Sequence, residues 1–399
     1  MAPPADPLLK WRSEFPILER KASYLLCHAL GPMPRGTREQ MTAYLDRWDE
    51  DATGAWDTWL PLLMKTAGLL GDIIHAAPGS VMVRENVSTL LSVLISGLSF
   101  SGRRNKVVLT QLNFPSGVYN WMAQRERGAR VEVVPSHDGG LNIDTEALVA
   151  AIDDDTCVVA LDHVLFRSGG LVDVAPVVEA AHRHGALVIL DCYQSAGAVP
   201  VDVGALGVDF AMGGSLKWLC GGPGAAWLYV SPEVLPRFAP KATGWLSHAR
   251  PFDFLFGEME YVGDIRRFLG GTPSIPAVYA ARTGYELVHT VGVEAIREKA
   301  LRQTALLLEL ADAQGLQVNT PRAPHRRGNT VCLDFPGSED ASRRLIERGF
   351  MLDWRPGAGL RLSPHFFTTD DECRATMEEV RRLRESGTLG ARSSGSHGH

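Results

Sequence analysis

The sequence predicts an α/β fold, with a large domain built on a mainly parallel, helix-covered sheet and a smaller α+β domain near the C-terminus. Three observations support this prediction. Short apolar segments alternate with helical periods between residues 106 and 230. One of these segments ends in Asp191, at the strand end where open α/β sheets bind their ligands. Near Ile275 the pattern changes to a long helix followed by short strands.

The elements follow in order along the chain. Strands are predicted for short apolar or β-branched segments at residues 106–110, 130–134, 156–161, 187–190, 209–212 and 225–230. Helical periods occupy residues 116–127, 144–152 and 174–184, between these strands. A helix at 276–310 leads to further strands at 330–335 and 359–362. We therefore predict an N-terminal arm that closes the pocket (1–50), a large domain (51–275), a small domain (276–385) and a disordered Gly- and Ser-rich tail (386–399).

Composition limits the classes of function. The 399 residues are 45% hydrophobic and 22% charged, which is enough apolar content for a large core. A net charge of −6 gives no basic field, so a nucleic-acid partner is not expected. The chain has no long apolar run and no secretion signal, and its six cysteines form no C-x-x-C pair. These features predict a cytoplasmic protein with reduced thiols and no membrane contact. His182 and His184 point to different helix faces, so no metal site is expected.

Asp191 and Lys217 are the most informative pair of residues. Asp191 ends an apolar strand, and Lys217 lies between Gly213-Gly214-Ser215 and the glycine-rich segment 221–224, where neither a helical nor a strand period continues. A carboxylate at a strand end can pair with a protonated pyridine nitrogen, and a lysine amine attacks an aldehyde reversibly once its pKa is lowered. The pair therefore suits pyridoxal 5'-phosphate as cofactor.

Several short segments resemble class V, fold type I pyridoxal phosphate enzymes, and among these kynureninase. The similar segments occur in the order Tyr24 to Pro34 (YLLCHALGPMP), Trp48 to Trp59 (WDEDATGAWDTW), Asn113 to Ser116 (NFPS), His163 to Gly169 (HVLFRSG), Gly244-Trp245 with His248, and Gly271-Thr272-Pro273. This resemblance implies a fold type I transferase fold and a homodimer with shared active sites, whose substrate is a small molecule, an amino acid.

Five residues are predicted to bind the cofactor from one chain, besides Asp191 and Lys217. Val87 and Ser88 begin a helix, whose N–H groups favour a phosphate, and Ser215 can reach the same phosphate. Phe114 follows a strand end, where its ring can stack on the pyridine ring. Gln194 can hydrogen-bond the phenolic oxygen of the ring; kynureninases usually have histidine there, whereas glutamine resembles cysteine desulfurases.

The resemblance assigns five further residues. Trp245 and Thr272 lie in segments that, in kynureninase, reach the phosphate across the dimer interface. Arg361 resembles the arginine that binds the substrate α-carboxylate, which a planar guanidinium can grip bidentately. His28 and Trp56 lie in segments that close the substrate pocket, so they are candidates for substrate contact.

Two departures from kynureninase affect the predicted reaction. The tyrosine expected before the lysine, thought to serve phosphate binding and proton delivery, is Leu216, and the aspartate expected after NFPS is Gly117. The leading prediction is a kynureninase-like hydrolysis of a carbon–carbon bond beside a side-chain γ-carbonyl, starting from an imine between cofactor and amino acid. The alternatives are a class V aminotransferase, a β-lyase or desulfurase, and, more remotely, a non-catalytic binding protein with this fold.

Overall fold

A seven-stranded sheet forms the centre of the large domain in the computed structural model, which describes residues 6–136 and 138–390. The helices and strands up to residue 291 are, in chain order, β1 (Ser23–Tyr24), α1 (Thr37–Asp51), α2 (Trp56–Ile73), β2 (Val81–Arg84), α3 (Val87–Ser96), β3 (Lys106–Thr110), α4 (Pro115–Ala123), β4 (Arg130–Val134), α5 (Thr145–Ala150), β5 (Thr156–Asp162), α6 (Ala175–Arg183), β6 (Leu187–Asp191), α7 (Val203–Leu206), β7 (Phe210–Gly214), β8 (Ala226–Val230) and α8 (Ile275–Val291).

The strand order confirms the predicted mainly parallel sheet. It is β2-β8-β7-β6-β5-β3-β4, with β4, β3, β5, β6 and β7 parallel. Strand β8 runs antiparallel to both β7 and β2. All six predicted strands of this domain are present within about two residues of their predicted ends, the usual uncertainty of such boundaries. Strand β2 was not predicted from the sequence.

The small domain contains a four-stranded antiparallel sheet of order β12-β13-β10-β9. Its elements are α9 (Val293–Ala313), β9 (Gln317–Val318), β10 (Val331–Asp334), α10 (Ser338–Glu347), β11 (Phe350–Met351), β12 (Asp353–Arg355), β13 (Gly359–Leu362) and α11 (Asp370–Glu385). The single long helix predicted at 276–310 is instead two helices, α8 and α9. Gly292 separates them with φ of 84°, a left-handed value that interrupts the helix and that glycine adopts without strain.

Two buried cores place the domain boundary later than the predicted 275/276. Helix α8 packs on α1 and α2, and its apolar residues belong to the core of the large domain. The second core begins at Leu307 on α9 and ends at Leu383 on α11, apart from Leu25 of the N-terminal arm. Because Val293 and Ile296 at the start of α9 also belong to the core of the large domain, the core of the small domain begins within α9.

Both ends of the described chain are attached to the rest of the structure. Strand β1 of the arm pairs with β11 of the small domain, and Phe15 is buried in the core of the large domain. At the other end, Gly390 donates its N–H to Asp340 at 3.2 Å. The predicted disordered tail thus does not begin at residue 386, and residues 391–399 lie outside the described part. No helix of the described residues is long and apolar enough to cross a membrane.

Candidate active site

Asp191 and Lys217 meet in one cavity of about 340 Å³ at the carboxyl ends of the parallel strands. Asp191 is the last residue of β6, and Lys217 follows the end of β7, the next strand of the sheet. Because both strands end at the same edge, two residues far apart in sequence line the same space. The remaining wall comes from the end of β5 and the residues after it, from residues just after β6, from the starts of α3 and α4, and from the segment 223–226.

The cavity changes the acidity of both residues. Burial lowers the pKa of Lys217 to about 8, against the attraction of the Asp191 carboxylate. Burial also raises the pKa of Asp191 to about 6, although the Tyr193 N–H donates a hydrogen bond to Asp191 at 2.8 Å. Lys217 therefore has a substantial neutral, nucleophilic fraction near neutral pH, while Asp191 lies in a place where a cationic partner would stabilise its charge.

The start of α3 offers two backbone N–H groups to an anion. Asn86 caps the helix by accepting the N–H of Thr89 at 2.8 Å, and Val87 and Ser88 line the cavity as the first two helical residues. N–H groups in a first turn have no partner within the helix, and the helix dipole favours negative charge there. Ser215 also lines the cavity, but its hydroxyl donates to the Gly222 carbonyl at 2.5 Å, so it would have to rotate to reach a phosphate.

Phe114 borders the cavity, and a carboxylate that the sequence analysis missed holds the backbone there. The Lys217 Nζ lies 5.6 Å from the centre of the Phe114 ring. Asp162 accepts the N–H of Phe114 at 2.9 Å and the side-chain amide of Asn113 at 3.1 Å. Burial raises the pKa of Asp162 well above its usual range, and the nearby Asp191 adds to this effect. Asp162 ends β5 just as Asp191 ends β6, so the same strand-end rule could have identified it.

Gln194 reaches the cavity with part of its amide group already engaged. Its Nε2 donates to the His28 carbonyl at 2.9 Å, and its Oε1 accepts the indole N–H of Trp218 at 3.0 Å. One amide N–H of Gln194 remains for a ligand, because the NH₂ group carries two donors. Tyr193, which the sequence analysis did not assign, lies beside it with its ring centre 4.5 Å from Lys217 Nζ.

Arg361 is held by the small domain beside, rather than in, the wall of this cavity. Asp353 accepts Arg361 Nε at 2.8 Å and Nη2 at 2.5 Å, while Nη1 donates to the Phe166 carbonyl at 2.8 Å. Burial disfavours the charge of Asp353, but His28 and Arg361 outweigh it and hold the pKa of Asp353 far below its usual range. Guanidinium has five N–H donors, so one on each terminal nitrogen remains for a carboxylate.

His28 lies behind this ion pair. Its Nε2 is 2.7 Å from Asp353, its Nδ1 is 2.7 Å from the Ser363 hydroxyl, and its side chain is 1% exposed. Burial, together with the charge of Arg361, lowers the pKa of His28 to about 4 and keeps the ring neutral. His28 therefore supports Asp353 and does not line the cavity, and its contact with substrate stays a prediction.

Trp245, Thr272 and Trp56 lie away from the cavity of their own chain. Trp245 packs edge-on against Trp56, with ring centres 5.9 Å apart, and stacks with Phe254 at 6.0 Å. Thr272 is exposed. None of the three lines the cavity that contains Lys217. Within one chain the structure thus brings together Val87, Ser88, Phe114, Asp191, Gln194, Ser215 and Lys217, and leaves these three outside.

Comparison with known proteins identifies the family of this chain. The family model described as aminotransferase class-V matches residues 68–354. The chain belongs to this family. It is 33% identical to an uncharacterised aminotransferase, YcbU, of Bacillus subtilis, over 77% of this chain and 80% of that protein. It is 32% identical to a kynureninase of Deinococcus radiodurans, over 93% of this chain and 92% of the relative. A kynureninase of Pseudomonas fluorescens is 31% identical over 88% of this chain and 86% of the relative.

Solved structures show the same fold at lower identity. An apo cysteine desulfurase of Thermococcus onnurineus superimposes with a TM-score of 0.85 and 21% identity, covering 97% of this chain and all of that one. A mutant of the cystine C–S lyase C-DES, with glycine covalently linked to pyridoxal phosphate, superimposes with a TM-score of 0.83 and 21% identity. The superposition covers 93% of this chain and 98% of that one. The class V chain is therefore a pyridoxal phosphate-dependent enzyme of fold type I.

The residues of the cavity fit this cofactor. The buried carboxylate of Asp191 would pair with the pyridine nitrogen, and Lys217, whose pKa is lowered, would attack the aldehyde. The free N–H groups at the start of α3 would bind the phosphate. When bound, pyridoxal phosphate supplies an electron-withdrawing ring that labilises bonds to the α-carbon of an amino acid. Among residues 6–136 and 138–390, no group of three or more His, Cys, Asp or Glu side chains could hold a metal ion.

The lowered pKa of Lys217 predicts the pH dependence of cofactor uptake. The neutral amine attacks the aldehyde, so the rate should rise with pH up to about 8 and level off above that value. A lysine with its ordinary pKa, about 10.4, would give a rate that still rises tenfold per unit at pH 9. Stopped-flow absorbance after mixing apo-protein with pyridoxal phosphate at pH 6 to 10 measures this; a rate still rising steeply at pH 9 would contradict the prediction.

Proposed function

We propose that this enzyme hydrolyses a carbon–carbon bond in an α-amino acid whose side chain carries a γ-carbonyl group, giving alanine and a carboxylic acid. The observation that carries the proposal is the 32% identity to a kynureninase over 93% of the chain, which includes both domains of the site. Water supplies the hydroxyl group of the acid. We further propose that the enzyme works in the cytoplasm, since its six cysteines are free.

In this proposal Lys217 binds the cofactor, and then takes and returns the proton at the α-carbon. Asp191 pairs with the pyridine nitrogen, while the N–H groups of Val87 and Ser88 hold the phosphate. The Phe114 side chain is 43% exposed, so its ring is accessible for stacking on one face of the cofactor. Asp162 keeps Phe114 in place through the backbone hydrogen bond described above.

Arg361 is proposed to bind the α-carboxylate of the amino acid through its two remaining N–H groups. Asp353 fixes the plane of the guanidinium by its two hydrogen bonds, and His28 fixes Asp353. This rigid support reduces the rotational freedom that Arg361 would otherwise lose on binding. Gln194 is proposed to donate its remaining N–H to the phenolic oxygen of the cofactor, and Ser215 to contact the phosphate after rotation.

The substrate is proposed to differ from kynurenine. Leu216 and Gly117 both line the cavity, and each replaces a polar side chain of kynureninases. A Cβ atom built on Gly117 would meet nothing within 4 Å, so this part of the cavity has room for a larger substrate group. A more apolar and more open pocket favours a bulkier or less polar acyl group than the anthraniloyl group of kynurenine.

A β-lyase is the second candidate function, because solved structures that share this fold include a cystine C–S lyase. A desulfurase that carries sulfur on its own cysteine is less well supported. Five of the six cysteines are buried and Cys157 is half-buried in strand β5. Burial raises the pKa of Cys157 to about 11, which keeps it a weakly nucleophilic thiol. An aminotransferase remains the third candidate, given the similarity to YcbU.

A spectral and product assay separates these reactions. The holoenzyme is mixed with kynurenine, 3-hydroxykynurenine, other γ-oxo amino acids, cystine and common amino acids, and products are identified by mass. Alanine released with a carboxylic acid supports the hydrolase. Pyruvate with a thiol product would show a β-lyase instead, and a keto acid formed with pyridoxamine phosphate would show an aminotransferase.

We also propose that the enzyme is a homodimer whose partner completes each site. Trp245 and Thr272 are then placed to reach the phosphate of the other subunit. The neighbouring segment 252–256 presents Phe252, Phe254, Leu255 and Phe256 to solvent in one chain, and Phe254 is 76% exposed. An apolar cluster of this kind on a soluble protein marks an interaction site.

This dimer predicts a specific effect of Phe254→Asp. Burying an unpaired carboxylate in an apolar interface costs several kcal/mol, so the variant should be largely monomeric at micromolar concentration. Sedimentation velocity should give twice the mass of one chain for the wild type and the mass of one chain for the variant. Ile346→Asp, at an exposed apolar residue of the small domain, is the control. A wild-type monomer would contradict the dimer.

A further inference from the structure

Tyr193 contacts Lys217 at the carboxyl end of β6. Its backbone N–H donates to Asp191, which fixes the start of the side chain at the carboxyl end of β6. The Lys217 Nζ lies over the Tyr193 ring, 4.5 Å from the ring centre. This is closer than its distance of 5.6 Å from the centre of the Phe114 ring. A cation at this distance interacts favourably with the ring face. Tyr193 also lines the cavity.

The hydroxyl end of Tyr193 fits because residue 214 is glycine. A Cβ atom at Gly214 would lie 2.5 Å from the hydroxyl oxygen of Tyr193, closer than real Cβ contacts. The phenol thus lies against the backbone just before Ser215 and Lys217. This is the segment that carries Leu216, where a kynureninase would have its tyrosine.

Two other hydroxyl groups near this place, those of Ser215 and Tyr285, are occupied. Ser215 donates to the Gly222 carbonyl at 2.5 Å, and Tyr285 donates to the Ala225 carbonyl at 3.1 Å. The hydroxyl of Tyr193 has no hydrogen-bond partner among the residues that the structure describes. Burial, with a smaller effect of Asp191, raises the pKa of Tyr193 to about 12, so the phenol keeps its proton at neutral pH.

We propose that Tyr193 is a catalytic residue whose hydroxyl takes the place of the one missing at Leu216, hydrogen-bonding the cofactor phosphate and delivering a proton to the β-carbon. This inference rests on the proposed hydrolysis. In that reaction the acyl carbon gains the hydroxyl group of water, and the electron pair of the broken bond stays on the β-carbon. The phenolic proton moves to that carbon, completing the methyl group of alanine. The phenolate regains the proton that the attacking water releases, and Lys217 returns its own proton to the α-carbon.

Hydrogen exchange of L-alanine in deuterium oxide, followed by NMR, tests this role without knowledge of the substrate. By reversibility, Lys217 should exchange the α-hydrogen and Tyr193 the β-hydrogens. In Tyr193→Phe, β-exchange should fall about 100-fold or more, while α-exchange stays within about threefold. The dissociation constant of pyridoxal phosphate from the variant should rise about tenfold, as expected for one lost hydrogen bond to a charged group.

Tyr229→Phe is the matched control. Tyr229 is also buried, and burial likewise raises its pKa to about 12, but it lies on β8 near Glu233 and Asp209, away from the cavity. This variant should leave both exchange rates and the cofactor affinity unchanged. Adding Leu216→Tyr to Tyr193→Phe should restore β-exchange, because it returns a phenol to the same segment; a purely structural role would not be rescued.

The outcomes distinguish this inference from the proposed hydrolysis. A wild type that exchanges α- but not β-hydrogens would overturn the hydrolysis and the inference with it. A wild type that exchanges both, with β-exchange intact in Tyr193→Phe, would overturn only the role of Tyr193. An equal fall of α- and β-exchange in Tyr193→Phe would also overturn it, since that indicates a general disturbance of the site.

Discussion

Replacing Lys217 with alanine is expected to abolish turnover, by about 10⁴-fold or more, because the same amine binds the cofactor and moves the α-proton. The visible absorbance of the lysine-bound cofactor should disappear as well. The fold should persist, since Lys217 lies at a cavity wall and its removal should change the free energy of unfolding by only about 1 kcal/mol. Absorbance, steady-state rates and thermal unfolding of the purified variant measure the three effects.

Lys241→Ala provides the control for this variant. Lys241 is exposed and does not line the cavity, so its loss should leave absorbance and turnover as in the wild type. If Lys217→Ala kept both the visible absorbance and the rate, another lysine would have to bind the cofactor and the site would be misassigned.

Replacing Arg361 with lysine should reduce kcat/KM about 100-fold, mainly through KM. Lysine carries one ammonium group and cannot offer two N–H groups in a plane to a carboxylate, so about 3 kcal/mol of charge-assisted hydrogen bonding is lost. The loss should appear in KM because the α-carboxylate is bound equally in the ground and transition states. Steady-state kinetics with the amino acid that the panel identifies, over a wide range of concentration, separates KM from kcat.

The small domain supplies a matched control in Arg322→Lys. Arg322 also pairs with a carboxylate through two hydrogen bonds, to Asp312 at 2.7 and 2.8 Å, but this pair is on the surface. Exposed ion pairs contribute about 0–1 kcal/mol, so stability and kinetics should barely change. An unchanged KM in Arg361→Lys would remove Arg361 from the substrate site. A fall in stability with unchanged KM would show that Arg361 only holds Asp353.

Most strands of the large domain could be predicted because they are buried on both faces, whereas the predicted edge strand β4 has exposed residues and the buried strand β2 was not predicted. Residues of β3 and β8 are buried throughout, and such continuous apolar segments stand out in a sequence. The break between α8 and α9 could not be predicted in the same way. The apolar period continues through Gly292 in the sequence. Only the packing of α8 on α1 and α2 assigns α8 to the large domain.

The same contrast holds for the site. Asp191 could be predicted because it ends an apolar strand, and Lys217 because it lies in a glycine-rich turn. In both cases the neighbouring residues alone indicate the position. Tyr193 and Asp353 carried no such signal. Tyr193 gains its position from the space above Gly214, and Asp353 from the antiparallel pairing of β12 with β13, which places it opposite Arg361.

The sequence by itself determined the fold class and the cofactor, and it predicted Asp191 and Lys217 as the residues that would hold that cofactor. These follow from periodicity and strand-end chemistry, which act over a few neighbouring residues. Only the tertiary structure decided that His28 supports Asp353, that Trp245 and Thr272 lie outside their own cavity, and that Tyr193 touches Lys217. Each of these depends on distances between segments far apart in the chain, and such distances are set by how the two domains and the sheet pack together.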